Sequence, residues 1–95
     1  MFRFSPENIK RVANAEIAEA RKYRDENIAH FRNDPGMVSM FRADCRTRIR
    51  AAQLAKQGDY KLAASTMKDQ DTAAREAVTD EFWNLMNDLV QEVEA

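Results

Sequence analysis

Glycine and proline punctuate this chain at only three places: Pro6, Pro35-Gly36 and Gly58. The stretches between them hold no residue that strongly resists a helical backbone, and the last, from Asp59 onward, contains neither type. Such a pattern favours helix throughout. The same scarcity excludes P-loops and dinucleotide fingerprints, which need glycine at several fixed positions. With 95 residues the chain is expected to be one domain, 1–95, because a single core takes roughly 100–150 residues. The expected class is all-α. It is a three-helix assembly on an antiparallel helical hairpin, with helices over 6–32, 35–57 and 60–94, the third long or broken into two.

The local signals at the first two boundaries agree with one another. Ser5 is a natural N-cap, Pro6 suits the first helical position, and Phe4 can pack on Ile9 as a hydrophobic staple. Glu7 puts negative charge where the helix dipole favours it. Asp34 and Pro35 repeat the cap-proline pair for the second helix. Gly58 is placed to take the left-handed conformation past its end, and Asp59 caps the third helix. The run Gln57-Gly58-Asp59-Tyr60, with Ala63 after it, resembles the inter-helix turn of a tetratricopeptide repeat. The resemblance implies an antiparallel helical hairpin and no more, since it covers roughly twenty residues and has no second copy at the repeat's spacing.

The third segment poses a length problem. As one rod it would extend about 50 Å, against about 35 Å for the second helix. Its overhang would carry Phe82, Trp83, Leu85, Met86, Leu89, Val90 and Val93, the densest apolar cluster in the chain. Water does not leave such a cluster bare. Either the segment breaks, near 69–72 or 79–80 where capping residues gather, and folds back, or another chain covers it. Asp71 is an N-cap at the first break or an acid within the stripe. Phe82, Trp83, Met86, Leu89, Val90 and Val93 are therefore candidate interface residues, with Trp83 as the anchor.

The helical faces identify other candidates. On the first helix Ile9, Val12, Ala13, Ile17, Ala20, Tyr23, Ile28 and Phe31 share an arc on which Glu16, Arg24, Asn27 and His30 intrude. Glu16 is expected to pair with Arg24 or with an arginine of the second helix. On that second helix Val38, Phe41, Cys45, Ile49 and Ala52 form one stripe, and Met40, Ala43, Ala51 and Leu54 form another nearly opposite. Two apolar faces place a helix between two neighbours. Arg42, Arg46 and Arg50 make a basic ridge beside the main stripe, while Arg48 sits apart, four residues after Asp44. These four arginines are candidate anion-binding residues, because the planar guanidinium fork matches carboxylate and phosphate. The plainer role of such a ridge is a solvated face or contact with the acidic end of the chain.

Charge is unevenly distributed. Residues 1–58 carry twelve Lys/Arg against seven Asp/Glu, and residues 59–95 carry three against nine, leaving a net charge of −1. Opposed halves attract each other or face different partners. The near-neutral total is unlike that of a dedicated nucleic-acid binder.

No catalytic or metal set emerges. One histidine, His30, and one cysteine, Cys45, exclude an internal disulfide and histidine- or cysteine-rich metal sites, and no cofactor motif is present. His30 lacks a paired base, and Cys45 on an apolar stripe reads as a small buried hydrophobe. No apolar run is long enough to span a membrane, and no secretory leader is evident, so a cytoplasmic location is expected. The leading expectation is a small non-catalytic regulatory protein that acts by protein–protein association. It would be a homo-oligomer, in the manner of inhibitors or accessory factors of phage and mobile elements. The alternative is an anion-binding module that uses the arginine ridge on a nucleotide signal or RNA.

Overall fold

The computed structural model describes residues 2–70 and 72–94. These residues are all-α and form five helices: α1 Pro6–His30, α2 Pro35–Lys56, α3 Tyr60–Lys68, α4 Thr72–Ala77 and α5 Asp80–Glu94. The first two helices begin where their caps lie. Ser5 Oγ accepts the Asn8 amide at 3.1 Å, and Asp34 Oδ1 accepts that of Met37 at 3.2 Å. Phe4 stays exposed, with the Arg3 guanidinium 5.5 Å from its ring centroid. The end of α2 is a Schellman motif: the Gly58 amide donates to Ala55 O at 3.1 Å and the Asp59 amide to Leu54 O at 3.0 Å. Gly58 supplies the positive φ, 88°, that this motif requires.

The 60–94 segment departs from one long helix at both candidate breaks instead of one. At the first, Asp69 caps the end of α3; Asp71 lies outside the described residues. At the second, Thr79 starts a new helix, its Oγ1 accepting the Phe82 amide at 3.4 Å and its carbonyl that of Trp83 at 2.9 Å. Asp80 and Glu81 then place acid in the first turn of α5. The result is a chain folded back on itself. α2 packs on α1 and α3, and α5 packs on both α3 and α1.

This packing covers only one end of the α1–α2 pair. From α1 and α2 the contiguous core takes Ile9, Val12 and Ala13, then Ala51, Ala52 and Ala55, with Ile17 and Leu54 packed against it. Alanines also line the facing side of α3, at Ala63 and Ala64, and Met67, Phe82, Leu85 and Met86 fill the interior. Each large side chain withdrawn from water there contributes about 1.5–3 kcal/mol. The other half of α1–α2 projects as a two-helix arm, and the molecule measures 47 × 23 × 19 Å. The arm is held by rings: Tyr23 meets Phe41 edge-on and Phe31 stacks on Phe41, both with centroids 5.7 Å apart.

A buried polar junction lies where the arm meets the covered body. Glu16 accepts from Arg48 Nε at 2.9 Å and Nη2 at 2.8 Å, and from the Thr79 amide at 3.2 Å. One carboxylate thus joins α1, α2 and the start of α5. The Arg48 guanidinium also lies 5.7 Å from the Tyr23 ring centroid, and its Nη1 has no hydrogen-bond partner among the described residues.

Candidate functional site

The groove between α1 and α2 on the arm gathers the chemistry. It is open, about 430 Å³ in volume, and lined by Arg24, Asp25 and Ile28 from α1 and by Arg42, Cys45, Arg46 and Ile49 from α2. Helical periodicity explains the grouping. Residues 24 and 28 are one turn apart on α1, as are 42, 46 and then 49 on α2, so both helices offer one edge to the same cleft. Ile28 and Ile49 are half-buried and Cys45 is buried, which makes an apolar floor. The arginines form its rim.

The rim is electrostatically uneven. Arg24 Nε donates to Asp25 at 2.8 Å, and its Nη1 approaches Cys45 Sγ at 3.8 Å. The bond to Asp25 holds the Arg24 guanidinium above its ordinary pKa; burial opposes this and the Cys45 sulfur adds to it. Arg42 and Arg46 are exposed, as is Arg50 one turn on. None of these three is ion-paired among the described residues. The arginines that do meet the acidic end of the chain belong to the N-terminal region: Arg3 pairs with Asp88 and Arg11 with Glu81.

Arg48 is the correction to the candidate anion set. It is 2 % exposed and turned inward onto Glu16. Its helical position, two residues from Arg46 and Arg50, points it to another face, and a buried carboxylate satisfies it there. Arg24 is the third arginine at the groove, beside Arg42 and Arg46. Its only sequence signal is a position on the border of the apolar arc of α1, which looks the same for a packing residue. Glu16 pairs with an arginine of the second helix, as its place in that arc suggests.

The C-terminal apolar residues are placed differently from an interface. Phe82, Met86 and Leu89 are buried in the chain's own core, and Trp83 and Val90 pack partly buried against it. Folding back at Thr79 consumes these side chains internally, so no second chain is needed to cover them. Val93 alone of the six candidates stands well exposed, at 71 %. His30 is exposed and rests edge-on against Phe31, centroids 4.7 Å apart. Among the described residues no cluster of three or more His, Cys, Asp or Glu is arranged to hold a metal ion. Nor is any helix of the described residues long and apolar enough to cross a membrane. No family model, no curated protein and no solved structure matches the chain.

Proposed function

We propose that this is a small non-catalytic binding protein that acts by association with a partner protein, using the arginine-rimmed groove of the α1–α2 arm. The observation that carries this is the coincidence of Arg42 and Arg46, exposed and without an ion pair among the described residues, with a half-buried apolar floor at Ile28 and Ile49. Two helices alone leave one flank of their contact open, and a third element laid along it would complete a three-helix packing. The partner of best fit is an acidic amphipathic segment, its apolar side chains seated on the floor and its carboxylates meeting the arginine forks. A polynucleotide suits the groove less well. Among the described residues no aromatic side chain lines it for base stacking. A module with a binding face and no reaction centre matches an inhibitory or accessory role, of the kind small phage and mobile-element proteins perform.

The test is affinity capture from host lysate with wild type and with an Arg42→Glu, Arg46→Glu variant, followed by titration of the recovered protein. Loss of about tenfold or more in affinity on charge reversal supports the groove. Equal recovery by both forms, or capture abolished by nuclease, overturns it. A phosphate ligand is the second reading, favoured by the convergence of three arginines on one cleft. Titration of nucleotides against wild type and Arg46→Ala decides it, with no heat and no shift for either form ending that reading.

A further inference from the structure

We infer that the flank of the α1–α2 pair opposite the one that meets α5 is, along its length, a receptor for one acidic amphipathic helix of a partner protein, a helix of the same kind as α5. This rests on the groove as the binding face and deepens it. The partner segment is helical, and its footprint runs past the groove to Ile17, Arg21 and Lys56.

Contacts across the pair assign its two flanks. On the first, Glu16 meets Arg48 and the Thr79 amide, and Tyr23 meets Phe41. Helical spacing puts the acids Glu19 and Glu26 of α1 and Asp44 of α2 on that same side. On the second, Lys56 Nζ donates to Asn14 Oδ1 at 2.9 Å, and Arg24 approaches Cys45. From Asn14 the same spacing leads through Ile17, Arg21 and Arg24 to Ile28. From Lys56 it leads back through Gln53, Ile49 and Arg46 to Arg42. The groove is therefore one end of a longer face. Ile17, Ile28 and Ile49 are half-buried on it, and Arg21, Arg42, Arg46 and Lys56 stand exposed. None of these four bases has an ion pair among the described residues. The acid at the groove end, Asp25, is bonded to Arg24.

The first flank shows what kind of helix such a pair accepts. α5 has 15 residues and no base; Phe82, Leu85, Met86 and Leu89 enter the core, while Asp88 and Glu81 pair with Arg3 and Arg11. A helix of that design brings acids to the bases of the second flank and apolar side chains to its isoleucines. The lengths agree as well, since Asn14 to Ile28 measures about 21 Å and a helix as long as α5 about 22 Å. A strand would leave its backbone groups unpaired here, because those of α1 and α2 are committed within their own helices. α5 of a second copy does not serve, its apolar face being buried in its own body. A nucleic acid would leave the isoleucines unused. One helix touches less than the roughly 1,200–2,000 Å² of a stable interface, so the affinity belongs in the micromolar range and is salt-sensitive.

The probe for this is a fluorescent peptide with the α5 sequence, residues 80–94, crosslinked in place of Asn87 and Gln91 on its polar face so that it stays helical. It is titrated into the full chain, whose own α5 keeps the first flank occupied. Anisotropy is expected to give a dissociation constant of about 10–100 μM at low salt, weakening in high salt. Arg21→Glu and Arg46→Glu each weaken binding by about fivefold or more, and Lys68→Glu, the same charge change at the exposed end of α3, leaves it unchanged. No binding at about 1 mM overturns the inference, as does equal weakening by all three variants or by none. Tighter binding of an oligothymidylate of equal length overturns it in favour of nucleic acid. Loss in Arg46→Glu with none in Arg21→Glu confines binding to the groove, which ends this inference and spares the groove as the binding face. The groove itself falls only if the Arg42→Glu, Arg46→Glu variant captures the partner as well as wild type does.

Discussion

The two ends of the α1–α2 pair are made from the same two helices and are finished in different ways. At the Gly58 end, alanines let α3 and α5 approach closely, and large side chains from α5 fill the interior. At the arm end the helices hold each other through the rings of Tyr23, Phe31 and Phe41. One stripe of α2 makes the contrast plain: Ala51 is buried and Leu54 half-buried, yet Met40 and Ala43, on the same face two or three turns earlier, are exposed. An apolar stripe tells which side of a helix is available for packing, and the reach of the neighbour decides how much of it is covered. Here α3 has nine residues, about 13 Å of helix, and it stops short of the arm.

The comparison breaks first at the junction. Glu16→Gln should destabilise the protein by about 3–5 kcal/mol, because it leaves the Arg48 guanidinium buried without its counter-charge. Urea unfolding measures this, and pairing Glu16→Leu with Arg48→Met should recover much of the loss if the cost is the unpaired charge. Next, methionines at the two ends should behave differently. Met86→Ala in the body is expected to cost about 2–5 kcal/mol, whereas Met40→Ala on the arm should lie within about 0.5 kcal/mol of wild type. Equal effects would erase the distinction between body and arm. Gly58→Ala should cost about 1–2 kcal/mol, since alanine resists the left-handed backbone on which the α2–α3 turn depends. The smallest effect on stability belongs to the groove. Arg46→Ala should leave the unfolding midpoint nearly unchanged, within about 0.5 kcal/mol, while weakening partner binding. A large loss of stability would mean that the arginine is structural.

The caps were legible because each depends on residues within four positions of itself. Ser5, Asp34, Gly58 and Asp59 act on their nearest backbone groups, and no distant part of the chain alters what those groups need. The break at Thr79 was legible only as a place where one could occur. What makes it necessary is the Glu16 carboxylate, 63 residues away in sequence, together with the burial of Phe82 and Met86. Arg48 was misplaced among the anion-binding candidates for the same reason: its partner belongs to another helix. The groove was legible in half, since the spacing of Arg42 and Arg46 puts them on one edge of α2. That Arg24 and Ile28 face them required the register between two helices, which depends on side-chain packing along their whole contact.

By itself, then, the sequence determined the all-α class, the first two helices and their caps, the turn at Gly58 and the division of charge between the halves. These come from local backbone chemistry and from composition. The tertiary structure decided how the apolar C-terminal run is used, which arginine is internal, and where a cleft opens. Those outcomes depend on which surfaces come within reach once α5 folds back: burial brings the apolar run inside the body, and it leaves Arg42 and Arg46 on the arm without an ion pair among the described residues.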